Sequence, residues 1–252
     1  EQIEEEMTAL LKMIHEVYET FQFNQSQVKL STRPDPYMGS LETWERAENS
    51  LADSLRKRGI EYKVNEGEGA FYGPKIDFVV MDAMKRGWQL ATIQLDFSMP
   101  ERFDLFYVSS SGAEARPVMI HRAILGSIER FMGILIEHTG GALPLWLAPV
   151  QVRIVNVTDQ QKDYAQEVFQ KIKTAGWRVE LDDRNEKLGF KIREAHVAKI
   201  PYAVVIGDRE MNNQTVSPRA RGGKNLNPMA VHDFLVCLQD EVSAVGRSEG
   251  SQ

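Results

Sequence analysis

The strongest constraint on this chain is a change of hydrophobic rhythm partway along it. Up to about residue 138 the pattern reads helix, strand, helix, several strands in succession, then a helix. After Thr139-Gly140-Gly141-Ala142-Leu143-Pro144 it alternates strand and helix. Helices set against a run of strands predict an α+β unit with an antiparallel sheet. Regular alternation predicts an α/β unit whose sheet is mostly parallel and covered on both faces. The Gly-Gly-Pro stretch between them reads as a linker. The expected division is 1–143 and 144–252, and a chain of 252 residues can bury a core in each part.

The first helix carries Leu10, Leu11, Ile14, Val17, Tyr18 and Phe21 at helical spacing behind Glu4, Glu5 and Glu6, and it is expected to end near Phe21 to Asn24. No capping residue precedes it and Glu1 is not a methionine, so the chain reads as starting inside a longer pattern. Val28 to Ser31 predicts a strand, and Leu41 to Arg58 a helix closed by Gly59. Strands are expected at Tyr62–Asn65, Ile76–Met81 and Leu90–Phe97. Ile120 to Glu137 reads as the most apolar helix, buried around much of its circumference. In the second unit, strands at Val150–Val157, Trp177–Leu181 and Tyr202–Ile206 alternate with helices reaching Ala175, over Glu186–Lys199 and over Met229–Val245. Gly246 to Gln252 is a polar tail expected to be disordered.

Composition then narrows the function classes. Hydrophobic residues make up 42% and charged residues 26%, which suits a globular chain and not a disordered one. No apolar run has the length of a membrane-spanning helix. Cys237 is the single cysteine, so no internal disulfide forms and a reducing compartment, the cytoplasm, is expected. No secretory leader is expected either. Lys plus Arg is 30 and Asp plus Glu is 36, for a net charge of −6, which argues against a surface that binds polyanions everywhere. A local excess remains in the second unit: Arg184, Lys187, Lys191, Arg193, Arg209, Arg219, Arg221 and Lys224 fall near the ends of predicted elements. Such charges form either a solvated face or a phosphate-facing patch.

Several residues could carry chemistry. Ser127 and Arg130 are three apart on the predicted apolar helix and share a face. A buried arginine there needs an anion, which is either a bound phosphate or Glu129. His121 reads as a hydrogen-bonded histidine or as a metal ligand. Gly67-Glu68-Gly69-Ala70-Phe71-Tyr72-Gly73-Pro74 is either a hairpin connection or a loop whose backbone approaches a ligand.

Gly126, Glu129 and Arg130 resemble motif 3 of the class II aminoacyl-tRNA synthetases, a glycine-containing helix ending in Glu-Arg. The segments Gly67 to Lys75, Gln94 to Phe97, Met119 to Ser127, Trp146 to Val152 and Arg184 to Glu194 resemble the C-terminal part of the threonyl-tRNA synthetase family. The resemblance runs from about Gln2 to Val242.

It implies the end of a catalytic domain followed by an anticodon-binding domain with a mixed, mostly parallel five-stranded sheet, from an enzyme that joins threonine to ATP and passes it to tRNA-Thr. Carried over from the family, Arg130 holds the ATP γ-phosphate and Gln89 contacts ATP, which is taken with Mg2+. Arg130 and Lys75 are the expected catalytic residues. Tyr72, Gln94 and Ser127 flank threonine. His121 matches one of three ligands of a zinc ion that binds threonine, the other two having no counterpart in this chain. Cys237 and His15 do not replace them. Asn185, Glu210 and Arg219 are expected to read anticodon bases. Family motifs 1 and 2 have no counterpart here, so the chain alone is expected to be inactive, and the parent protein to be a homodimer. The remaining readings are a non-catalytic synthetase paralogue and a free-standing RNA-binding module.

Overall fold

The computed structural model describes residues 2–23 and 26–245. The tail at Gly246–Gln252 and the end of the first predicted helix at Asn24 lie outside the described residues. The chain divides into two compact units, the first ending at His138 and the second beginning at Thr139.

In the first unit, α1 (Ile3–Thr20) forms on the predicted stripe and buries Met7, Leu10, Leu11, Ile14 and Tyr18. β1 (Ser26–Ser31) follows. α2 (Leu41–Lys57) starts at Ser40, whose side chain accepts from the Thr43 N–H, and it buries Trp44, Leu51 and Leu55. Then come β2 (Tyr62–Asn65), β3 (Lys75–Met81) and β4 (Gly87–Asp96). The segment left without a pattern in the sequence holds α3 (Ser98–Arg102) and a small hairpin of β5 (Tyr107–Val108) and β6 (Glu114–Ala115). β7 (Met119–Ala123) and α4 (Ile128–Thr139) complete the unit.

The predicted helix from Ile120 is therefore corrected. Its first four residues belong to a strand, because Met119–Ala123 has an antiparallel partner in β4, with Gln94 opposite His121. A turn separates it from α4. That helix buries Phe131, Ile134 and Leu135, while Ile128, Met132 and Ile136 are exposed, so it is apolar all round but covered on one side only.

The main sheet runs β2-β1-β3-β4-β7. Its pairings are antiparallel except β1 with β2, which is parallel. One face is apolar: Val28, Leu30, Ile76, Phe78, Val80, Leu90, Ile93 and Leu95 are buried. Tyr18 of α1 meets Phe78 edge-on, α2 packs on β1, and Phe131 of α4 joins Phe21 and Phe23. Each such aliphatic side chain contributes about 1.5–3 kcal/mol by leaving water.

The second unit contains β8 (Val152–Asn156), α5 (Lys162–Thr174), β9 (Val179–Asp182), α6 (Leu188–Val197), β10 (Tyr202–Ile206), α7 (Asp208–Asn213), β11 (Thr215–Ala220), β12 (Met229–Ala230) and α8 (Val231–Ser243). A turn of 3-10 helix capped by Thr158 and Gln161 leads into α5. Two readings change. The last helix begins at Val231, because Met229 and Ala230 pair with β11 instead, and α7 and β11 fill a stretch that carried no prediction.

The sheet order is β12-β11-β10-β8-β9. β10, β8 and β9 are parallel, while β10, β11 and β12 are antiparallel. Val152, Ile154, Val204, Ile206 and Val216 face α5 and α8 in one core. Ala203 packs with Ala195 of α6 on the opposite face. Both faces thus carry helices.

Candidate functional site

The second face of the first sheet carries a polar row, bordered by Val79, Met81, Met119 and Ala123. Strand alternation places Lys75, Asp77, Thr92, Gln94 and His121 away from the apolar core. Register brings Lys75, Gln94 and His121 into one row across β3, β4 and β7. Tyr72, just before β3, donates its hydroxyl to Gln94 Oε1 at 2.6 Å, and its ring stands 6.0 Å from that of His121. The structure thus places four of the sequence-predicted residues on one face, with Tyr72 in contact with both Gln94 and His121. Partial burial, reinforced by the Asp96 charge, pushes the Tyr72 hydroxyl above its usual range, so Tyr72 remains a donor near neutrality.

Beside this row lies a carboxylate that the sequence reading missed. Asp77 is 4% exposed, and its Oδ2 accepts from Lys75 Nζ at 2.7 Å and from Ser31 Oγ at 2.9 Å. Its Oδ1 accepts from Gln89 Nε2 at 2.5 Å and from the Thr92 hydroxyl. One buried carboxylate therefore fixes both Lys75 and Gln89. The available signal was the alternation Lys75-Ile76-Asp77-Phe78, which puts Lys75 and Asp77 on one side.

Gln89 and Thr92 are three apart and should face opposite ways. They share a face because the pairing of β3 with β4 shifts between Asp77 and Val79, and both Leu90 and Ala91 are buried. This bulge re-aims Gln89. It leaves the Ala91 N–H free of the ladder, and Tyr18 Oη accepts from it at 2.9 Å. Burial pushes the Tyr18 hydroxyl up to about 12, against the lowering effect of that bond. Lys29, Lys75, Asp77, Glu68, Asn65 and Gln89 line an open cavity of about 370 Å³ on the same face.

In the glycine-rich loop two glycines serve the packing of the chain on itself. A Cβ on Gly69 would lie 2.5 Å from Thr32 O, and one on Gly73 only 1.7 Å from Leu95 O. Gly69 and Gly73 permit chain to approach chain. The exposed aromatic of the loop is Phe71, at 55%, and Tyr72 is half-buried.

Arg130 and Ser127 are also corrected. Ser127 precedes α4 and its Oγ accepts from the Arg130 N–H at 3.1 Å, so it acts as a cap and not as a neighbour on a helix face. Arg130 is exposed, not buried, because it sits in the first turn of a helix with one uncovered flank. Its Nη1 donates to Gln89 O at 3.0 Å, which brings it beside Gln89.

His121 Nε2 lies 2.8 Å from Asp96 Oδ2, whose other oxygen accepts from the Ser98 and Met99 N–H groups. A firm zinc site needs three or four converging ligands. Among the described residues no group of three His, Cys, Asp or Glu side chains could hold a metal ion. These residues do not fit zinc by themselves. Cys237 is exposed on α8, in the other unit.

In the second unit, Glu210 of α7 and Arg219 of β11 come close through Ser217. Ser217 Oγ donates to Glu210 Oε1 at 2.6 Å, and Ser217 and Arg219 lie on the same side of β11, opposite Val205 and Ala203. That is the side of the sheet covered by α6. Burial opposes ionisation of Glu210, but bonds from Ser217 and the Gly207 N–H outweigh it and hold its carboxyl below the usual range. Asn185 follows β9, three strands from β11, or roughly 14 Å at the usual strand spacing, and leads into α6.

The predicted basic patch is thinner than its sequence count. Lys191 is buried, at 1% exposure, so it cannot face a phosphate. Arg184 is bound by Asp182 at 2.7 Å and by Glu194. Arg221 donates to Leu143 O and Lys199 O at 2.9 and 2.8 Å. Lys187, Arg193, Arg209 and Lys224 are exposed and Arg219 is half-exposed.

No helix among the described residues is long and apolar enough to cross a membrane. The sequence pattern of the tRNA synthetase class II core domain (G, H, P, S and T) matches residues 1–139. That of the anticodon binding domain matches residues 151–241. Among curated relatives, a threonine–tRNA ligase from Clostridium novyi (strain NT) is 55% identical over 242 residues, covering 96% of this chain and 38% of the relative. One from Syntrophotalea carbinolica is 54% identical, also over 96% of this chain and 38% of the relative. The chain thus spans about two fifths of their length. The RNA binding domain of threonyl-tRNA synthetase from Cryptosporidium parvum Iowa II superposes with a TM-score of 0.88 at 37% identity, over 95% of this chain and 60% of that one. A prolyl-tRNA synthetase from Cryptosporidium parvum gives a TM-score of 0.62 at 18% identity over 97% of this chain and 48% of that one, a likeness of fold alone.

Proposed function

This chain belongs to the class II tRNA synthetase family that groups the G, H, P, S and T enzymes, and from that premise we propose that it is the C-terminal part of a threonine–tRNA ligase. The whole enzyme activates threonine with ATP, taken with Mg2+, and transfers it to tRNA-Thr. It works in the cytoplasm as a homodimer.

The observation that carries this reading is the polar row on an otherwise apolar sheet. Tyr72, Gln94 and His121 converge where a small polar amino acid could exchange hydrogen bonds with them. Ser127, at the end of the turn after β7, completes the threonine site. Gln89 and Arg130 are linked to each other on the same unit, a carboxamide and a guanidinium suited to a nucleotide and its terminal phosphate. Lys75 contributes positive charge held in place by Asp77. Its role is to stabilise negative charge as the acyl group moves. The domains are taken as 1–143 for the catalytic part and 144–252 for the anticodon part. By itself the chain binds RNA and activates threonine poorly or not at all. Robust threonine-dependent exchange of pyrophosphate into ATP by this chain alone would overturn that clause.

Asn185, Glu210 and Arg219 offer an amide, an acceptor and a donor to splayed anticodon bases on the α6 side of the second sheet. The test is binding of the chain to the anticodon stem-loop of tRNA-Thr and to a shuffled loop. Arg219→Ala should lower affinity for the cognate loop about tenfold, as expected for loss of a charge-assisted bond, and affect the shuffled loop far less. Equal loss on both would make Arg219 a phosphate contact, and no preference by the unaltered chain would sink the reading of this unit.

A further inference from the structure

Lys191, counted in the local basic excess of the second unit, is instead among the most buried side chains of the molecule. An ammonium has three N–H donors and no acceptor. All three find partners: Asn156 O at 3.2 Å, Asn156 Oδ1 at 3.1 Å and Asp182 O at 3.1 Å. Asn156 is the last residue of β8 and Asp182 the last of β9. The lysine belongs to α6, which covers that side of the sheet. One side chain thus ties a helix to the C-terminal ends of two adjacent parallel strands.

The turn beyond β9 gives this clamp its meaning. Asp182-Asp183-Arg184-Asn185 leads from β9 towards α6. It is held from two points of that helix. Lys191 takes the Asp182 carbonyl, and Glu194, one turn further on, takes the Arg184 guanidinium. Arg184 in turn closes on the Asp182 carboxylate. Asn185 is the next residue and is exposed. A turn of four residues would otherwise sample several conformations. Here both its backbone entry and its one long side chain are tethered, and the free end is Asn185.

We propose that Lys191 is a positioning residue for base recognition: its buried ammonium fixes the turn that presents Asn185 to the anticodon. The proposal rests on the reading of the second unit as an anticodon-binding domain. Lys191 acts through Asn185 and touches no nucleotide. Its contribution therefore concerns one base of the three, the one Asn185 reads, and leaves the base read by Arg219 alone. A lysine with only a structural role would change the amount of folded protein and so scale every affinity alike.

The experiment measures dissociation constants of the full chain for the cognate anticodon stem-loop and for loops substituted at each anticodon position in turn. Asn185→Ala and Arg219→Ala first define which position each residue discriminates. Lys191→Met, which keeps the length and removes the donors, should lose about tenfold in discrimination at the Asn185 position and stay within about twofold of the unaltered chain at the Arg219 position. Adding Asn185→Ala to Lys191→Met should cost little more. Should Lys191→Met fail to fold, Asn156→Ala, which removes one of the three acceptors and leaves the ammonium in place, carries the same test with a smaller loss at the same position. Equal loss at all positions, or full discrimination retained by the variant, overturns the proposal. Absence of discrimination by the unaltered chain overturns the anticodon reading instead, so the two failures are distinguishable.

Discussion

In the first unit the polar side chains line up across one face of a five-stranded sheet, while in the second both faces carry helices and the polar groups gather where strands end. The difference is one of what sets the geometry. On a face, neighbours are chosen by register: Lys75, Gln94 and His121 meet because their strands pair as they do. At strand ends, neighbours are chosen by turns and caps: Glu210 is held by the Gly207 N–H and Ser217, and the turn before Asn185 by α6. The first kind of site is rigid and intolerant of a change in strand length. The second is adjustable and depends on a few hydrogen bonds.

The sharpest way to break this comparison is to remove the bulge. Inserting an alanine after Phe78 gives β3 a residue opposite the bulge, restores strict alternation between Gln89 and Thr92, and turns Gln89 towards the apolar core. Burying an unpaired amide should destabilise the first unit by about 3 kcal/mol or more, read from urea unfolding. Next in size is Asp77→Leu. It removes the shared acceptor of Lys75, Gln89 and Thr92, and should cost about 2 kcal/mol and make Lys75 more reactive towards an acylating reagent. Unchanged Lys75 reactivity would mean that Asp77 does not hold it. Tyr18→Phe should cost about 1 kcal/mol, because the Ala91 N–H at the bulge then lacks its acceptor, while Asp77 and its partners stay in place.

The smallest effect is on the other unit and depends on pH. The folded-state pKa of Glu210 lies below its ordinary value of 4.5. The unfolded chain then binds the proton more readily, so the stabilisation is present above about 4.5 and is lost as pH falls through the depressed value. Acid titration of the unfolding midpoint should show this loss, and Glu210→Gln should flatten that part of the curve. An unaltered curve for the variant would remove Glu210 from the account.

Much of the fold was legible because period and punctuation agree. α1 and α2 carry clear helical stripes, and Gly59 and Gly176 follow helix ends at positive φ. Met119–Ala123 reads wrongly from sequence because Met119, Ile120, Ala123 and Ile124 fit helical spacing as well as a strand. Only the partner strand decides between them. The burial of Lys191 was illegible for a related reason: two of its three acceptors are backbone carbonyls of distant strands, and a sequence does not display them. Tyr72, Lys75, Gln94 and His121 are named through the family resemblance. Alternation explains why three of them share a face, but Asp77, which organises that face, looks in the sequence like an ordinary strand residue.

The loop before β3 has one more consequence. Gly69 and Gly73 lie against Thr32 and Leu95, and hydrogen bonds join Gly69 N to Thr32 O at 2.7 Å and Met38 N to Phe71 O at 2.8 Å. A glycine-rich segment left free would have to surrender about 1–2 kcal/mol of conformational freedom per residue when a small molecule arrived. In this chain that entropy is lost when the protein folds, before any ligand is present. A small guest reaching Tyr72 meets a wall already standing, and its affinity is not diminished by having to assemble one.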